Sequence, residues 1–242
     1  RARRPKPGSA MRLRIAHSTT YRYEPPASGV IQILRMTPGS HDGQYVAEWQ
    51  IDVSTDSRLD MHQDAFGNVT HVLTHGPIAD LTIHVEGLVE THDTGGVFRG
   101  ANERFPPSLF LRQTDLTEVT PAMATFVRDL RSESNGDVLG FLHALMVQIF
   151  EHMAFDENPT NSGTSASEAF ALKRGVCQDF AHVSLALLRA MGIPAWYVSG
   201  YEPLLGANGE RIGMLYVGFL EAPFSAAMQG AIDEAKRKVE GK

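Results

Sequence analysis

Along residues 12–23 large apolar and polar side chains alternate, the period of a half-buried strand. Glu24-Pro25-Pro26 ends that run. Residues 30–36, 45–53, 68–74 and 81–89 repeat the strand pattern between turns rich in Gly, Pro, Asp and Asn. Asp64-Ala65-Phe66-Gly67-Asn68 reads as a tight turn joining two of them. Short strands at this spacing predict an antiparallel sandwich or open barrel. Residues 91–119, with Gly95-Gly96 and Pro106-Pro107, keep no period and read as a linker.

Beyond residue 119 the period lengthens. Thr120-Pro121 supplies an N-cap and an N1 proline for a helix reaching about residue 131. Asp137 stands where it would cap a second helix, in which Val138, Phe141, Leu142, Leu145 and Ile149 recur at helical spacing. After a loop at 158–163, Ser165 and Glu168 form a capping box, and Gly175 is placed to close the short helix they open. The next helix runs from Cys177 to Met191. Phe180, Ser184, Leu187 and Met191 share one of its faces, Leu185 and Leu188 lie beside it, and Gly192 and Pro194 end it. Residues 196–201 read as a following strand. A sheet-rich half followed by helices and a strand is an α+β arrangement. The expected organisation is a flexible leader (1–10), an antiparallel β-domain with its linker (11–115) and a helical core (116–242).

Composition narrows the function classes. A chain of 242 residues with 43% hydrophobic content can bury a core in one large or two small domains. Net charge is −6 and the basic residues are scattered, which argues against a nucleic-acid partner. The one basic cluster, Arg1-Ala2-Arg3-Arg4-Pro5-Lys6, precedes Met11 and reads as upstream or fusion sequence. No apolar stretch has the length of a signal-peptide core or a membrane span, so no membrane association is expected. The single cysteine rules out an internal disulfide and suits a reducing compartment, the cytoplasm.

That cysteine, Cys177, is the residue with chemistry to offer. At a helix start it meets unpaired backbone N–H groups and the positive end of the macrodipole, which favour thiolate over thiol. Lys173 and Arg174 lie just upstream. Gln178 and Asp179 occupy the first turn, where an acidic side chain complements the dipole. His182 lies five positions on, about 140° around the helix axis, where its ring does not easily reach the thiol. His143 and His152 belong to the preceding helix or its end. His71 and His75 share one side of a strand, but no third or fourth ligand accompanies them, so neither a metal nor a cofactor is expected.

The segment Arg174-Gly175-Val176-Cys177-Gln178-Asp179-Phe180-Ala181-His182 resembles the bacterial transglutaminase-like superfamily, whose core is similar to that of papain-type cysteine proteases. Thr164-Ser165-Ala166 and Glu168-Ala169-Phe170 before it, and residues 187–195 and 197–201 after it, extend the resemblance. Thr20-Tyr21-Arg22-Tyr23, Leu34-Arg35-Met36-Thr37-Pro38 and the 64–68 turn resemble the β-domain that often precedes this core. What the resemblance implies is a thiolate that attacks an amide carbonyl, forming a thioester that water or an amine then resolves. It makes Cys177 the catalytic residue, with its backbone N–H as an oxyanion donor. It gives Gln178, Asp179 and His182 site-supporting roles.

The family draws its histidine from a strand a few dozen residues later, in a His-Ala-Trp-like motif, and its carboxylate from an Asp-Pro-like motif. Neither is present, and no histidine follows His182. The resemblance therefore implies a core truncated or divergent after Tyr201. The expected function is impaired cysteine-dependent acyl transfer or hydrolysis on a peptide or protein substrate. The alternative is an inactive relative that binds a peptide or protein. A core lacking strands would expose Leu185, Leu187 or Leu188, which the apolar run 212–220 or a second copy in a homo-oligomer would cover. The tail at 224–239 reads as a solvated helix.

Overall fold

Alternating side chains build the first sheet. β1 (Met11–Ala27) and β3 (Gln44–Val53) both pair antiparallel with β6 (Ile78–Thr91), which lies between them. Along β6, Leu81, Ile83, Val85 and Val89 are buried, every second position facing inward. A second antiparallel sheet places β5 (Val69–His75) between β2 (Val30–Leu34) and β4 (Leu59–Gln63). Val30, Leu34 and Leu73 from this sheet join Ile78, Leu81 and Ile83 of β6 in one buried cluster, so the sheets form a sandwich. The computed structural model describes residues 11–92, 94, 104–134 and 137–200. They divide into two units, one ending at Phe105 and the next beginning at Pro106.

Two strand expectations are corrected. Glu24-Pro25-Pro26 does not end β1, which continues to Ala27 through a register shift between Arg22 and Ala27. β1 is an edge strand, where prolines interrupt the ladder without terminating it. The sequence reading also lacks β4. Its Met61 is 70% exposed and only Leu59 is half-buried, so the strand carries no alternation to detect. The turn from β4 to β5 falls where expected. The Asp64 carboxylate accepts from the backbone N–H of Phe66 and of Asn68 and from Asn68 Nδ2, each at 3.0 Å.

In the second unit the 107–117 stretch, expected to be linker, holds 3-10 turns at Pro107–Leu111 and Asp115–Thr117. α1 (Pro121–Glu133) starts as its cap predicts, with Thr120 Oγ1 accepting from Met123 N at 3.3 Å. α2 (Val138–His152) follows, then the two-residue strand β7 (Ala154–Phe155) and α3 (Ala166–Leu172). β7 pairs in parallel with β8 (Arg174–Gly175), which leads directly into α4 (Cys177–Ala190). α3 ends at Lys173 in the left-handed conformation (φ 55°), not at Gly175.

α4 is the central element of this unit. From Asp179 to Leu188 only Phe180 and Ser184 are more than marginally exposed, so the helix is buried all round. Leu185, Leu187 and Leu188 lie inside the core with Phe141, Leu145 and Val183. Gly192, at φ 72°, turns the chain out of α4. The strand expected at 196–201 is not formed over its described residues, 196–200. Trp196 packs instead on Phe110, with ring centroids 4.6 Å apart. The leader at 1–10, Gly95-Gly96, Tyr201, the 212–220 run and the 224–239 tail lie outside the described residues. Among the described residues no helix is long and apolar enough to cross a membrane.

Candidate active site at the start of the central helix

The chain reaches Cys177 along a fixed path. Ala154 N donates to Lys173 O at 2.9 Å and Asp156 N to Gly175 O at 3.0 Å, so β8 is tied to the segment leaving α2. Arg174 adds an ion pair with Asp156 at 3.6 Å. Val176 then adopts an extended conformation and Cys177 is the first helical residue. The ladder begins with Asp179 N and Phe180 N donating to Val176 O at 2.9 and 3.2 Å. The N–H groups of Cys177 and Gln178 precede that first bond and have no acceptor within the helix. The thiol is half-buried. It therefore stands at the donor-rich end of a buried helix without being sealed in the core.

The residues expected to support the site all reach one loop, 156–164. Gln178 Nε2 donates to Ser162 O at 3.2 Å. Asp179, 1% exposed, accepts on Oδ2 from Val176 N and from Thr160 Oγ1, both at 2.7 Å. Val176 has no side-chain acceptor, so the carboxylate supplies the only side-chain half of this cap. Gly175 is small for a steric reason. A Cβ there would lie 2.6 Å from Asp179 Cβ and 2.7 Å from its Cγ, so any other residue would displace the carboxylate. His182 is buried beside the backbone of Thr164 and lies 6.0 Å from Tyr197 between ring centroids. Burial pushes its imidazole below the ordinary value, against an upward pull from Thr164 and Asp179. A neutral ring follows.

The two other histidines of the helical half are placed elsewhere. His143 projects from the exposed side of α2. His152 stacks on Phe170, with centroids 4.1 Å apart, and its Nε2 pairs with Phe170 O at 3.1 Å. Among the described residues no three His, Cys, Asp or Glu side chains converge as metal ligands would.

Several site residues escaped the sequence reading. Thr160, Ser162 and Thr164 act across 16 to 19 positions, a distance with no local signature. Gly175 carried a signal, a glycine directly ahead of the helix start, but its reason is contact with Asp179 and not helix termination. Arg189, near the end of α4, was not singled out. Its Nε donates to Phe110 O and Ala195 O at 3.1 Å, Nη2 to Ala195 O at 2.8 Å and Nη1 to Thr117 Oγ1 at 3.0 Å.

Residues 13–90 match the family model of the bacterial transglutaminase-like N-terminal region, and residues 124–224 match that of the transglutaminase-like superfamily. The second match continues past Tyr201. An uncharacterised protein of Mycobacterium leprae is 30% identical over 201 residues, covering 78% of this chain and 71% of its own length. One from Mycobacterium tuberculosis is 25% identical over 205 residues, covering 78% and 65%. Among solved structures, a candidate cysteine protease from Cytophaga hutchinsonii superposes with a TM-score of 0.65 at 20% identity, over 84% of this chain and 71% of that one. At that identity the likeness is one of fold. The chain belongs to the transglutaminase-like superfamily and carries that family's bacterial N-terminal region ahead of its core.

Proposed function

We propose that the protein performs cysteine-dependent acyl transfer on peptide or protein amides. The Cys177 thiolate attacks the amide carbonyl carbon, the C–N bond breaks, and the departing amine takes a proton. Water then releases a carboxylic acid and regenerates the thiol, or an amine forms a new amide. The observation that carries this reading is the position of the half-buried Cys177 as first residue of α4. The N–H of Cys177 would face the developing oxyanion. Hydrolysis is the favoured outcome, and the single cysteine favours the cytoplasm.

A second reading, a peptide- or protein-binding relative without turnover, is favoured by the histidines. None follows His182 in the sequence, His152 is committed to Phe170, and His143 lies on an exposed face. Among the described residues none of these histidines supplies the thiol with a base of the family's usual origin, and without one turnover would be slow. Iodoacetamide alkylation across pH separates the readings. An activated Cys177 reacts well below the alkaline range of free cysteine, and turnover of a glutamine-containing peptide disappears in Cys177→Ala. A midpoint near that of free cysteine, with no turnover above Cys177→Ala, leaves the binding module.

A further inference from the structure

We propose that Asp179 is a positioning residue for Cys177, acting through the backbone of Val176 and through Thr160. This rests on the nucleophile reading of Cys177. It goes further by naming the device that sets the geometry at the thiol.

Three observations converge on the carboxylate. First, a single oxygen, Oδ2, accepts two short bonds of 2.7 Å, one from the peptide N–H of Val176 and one from the Thr160 hydroxyl. Charge-assisted bonds of that length are the strong class. The Val176 bond holds the residue immediately before Cys177, so it fixes the direction in which α4 begins. The Thr160 bond holds the middle of loop 156–164 against the same turn. Second, Gly175 is kept clear for the carboxylate, since its Cβ would meet both Asp179 Cβ and Cγ inside contact distance. Third, the arrangement is costly. Asp179 is 1% exposed, and its Oδ1 is buried with no hydrogen-bond partner among the described residues. A helix cap alone needs one neutral acceptor at a solvent-facing turn. A buried carboxylate gripping the peptide before the nucleophile and a loop beside it sets geometry as well as capping.

The neighbours share that loop. Gln178 reaches Ser162, so Asp179 makes one of two side-chain hydrogen bonds between loop 156–164 and the first turn of α4, with His182 beside Thr164. Asp179 is the one fully removed from water.

The test compares two reactions of Cys177 in the full chain. Alkylation by iodoacetamide, at a pH above the thiol's titration, needs only a free thiolate. Acylation by a p-nitrophenyl ester, followed as a mass increase, also needs aligned backbone donors for the oxyanion. In Asp179→Ala acylation falls at least about tenfold, the loss of one charge-assisted bond in the transition-state geometry. Alkylation in the same variant stays within about twofold. Thr160→Val, which removes one donor, loses about threefold in acylation. Asp179→Asn keeps an acceptor for both donors but places an amide donor where Oδ1 is buried. It lowers the Tm and yet retains acylation within about threefold of wild type.

A merely structural role would move Tm and both rates together, and that outcome overturns the proposal. Equal acylation in folded Asp179→Ala and wild type overturns it too, as does an Asn variant no better than Ala. Should Asp179→Ala fail to fold, Thr160→Val decides: an unchanged ratio of acylation to alkylation is fatal. A wild-type thiol that is not acylated at all sinks the nucleophile reading itself, an outcome distinct from acylation that ignores Asp179.

Discussion

The two units treat charge in opposite ways. Along β1 and β6 of the sandwich the charged pairs stay in water. Arg12 pairs with Glu90 at 3.1 Å, Arg22 with Asp80 at 3.8 Å, and Arg14 with Glu86, all with partly or mostly exposed side chains bridging β1 and β6. Apolar alternation alone builds that core. In the helical unit Asp179 and His182 are buried in α4, and Arg189 is half-buried at its end. Asp179 is matched to Thr160 and Arg189 to the carbonyls of Phe110 and Ala195, while His182 lies beside Thr164. The contrast teaches where geometry is stored. The sandwich tolerates changes in its polar contacts, whereas the central helix is held in one placement by polar groups that water cannot replace.

Removing the Arg189 guanidinium is the largest single break open to this contrast. Its bonds to Phe110 O, Ala195 O and Thr117 Oγ1 join α4, the 107–117 turns and the 193–196 segment. Arg189→Ala leaves those acceptors unsatisfied and costs about 2–4 kcal/mol of the helical unit's stability. Arg189→Lys recovers less than half of that, because a single ammonium cannot reproduce a planar fork with several donors. Urea unfolding followed by helical circular dichroism reads the loss. A change below about 0.5 kcal/mol would place Arg189 with the exposed pairs and dissolve the distinction.

Acid is a smaller and more selective probe. Burial pushes the His182 imidazole below its ordinary value, so the folded unit holds the neutral ring while the unfolded chain takes up a proton near pH 6.5. Its contribution is therefore complete above about pH 6.5 and is lost as pH falls from there through the folded-state value. The helical unit's urea midpoint should decline as pH falls below about 6.5, and His182→Gln should flatten that decline. The depressed carboxylates of Asp156 and Glu168 act only in the carboxylate range, about pH 4 and below. His41, also pushed down by burial, belongs to the sandwich and supplies an internal control. A slope that survives His182→Gln would mean another group senses the acid.

The same contrast explains what could be read without coordinates. The sandwich strands announce themselves by alternation, and β4 is missed because Met61 points to solvent. Thr120 and the Ser165–Glu168 box mark the starts of α1 and α3 because caps are local. Cys177 stands out for the same reason. α4 was harder. Asp179, His182, Ser184 and Arg189 give it the look of a one-sided helix, yet the first two are buried and Ser184 donates back to Phe180 O at 2.8 Å. Polar residues serve as surface markers only where they are solvated, and here they are satisfied internally. The hold of loop 156–164 on α4 depends on pairs 16 and 19 residues apart, which no periodicity records.

The smallest expected effect tests the other side of the comparison. Arg12 Nε lies 3.1 Å from Glu90 Oε1, directly across the β1–β6 register, with side chains 66% and 35% exposed. Geometry alone would make this as persuasive a contact as Asp179–Thr160. Solvent decides otherwise, because both partners stay partly hydrated and ordering two long side chains costs entropy. A double-mutant cycle of Arg12→Ala and Glu90→Ala should give a coupling energy below about 1 kcal/mol. That coupling should fade in about 1 M salt, where the screening length shrinks to roughly 3 Å. A coupling of 2 kcal/mol or more, undiminished by salt, would show that the sandwich also depends on specific charge pairs, and burial would no longer separate the two units.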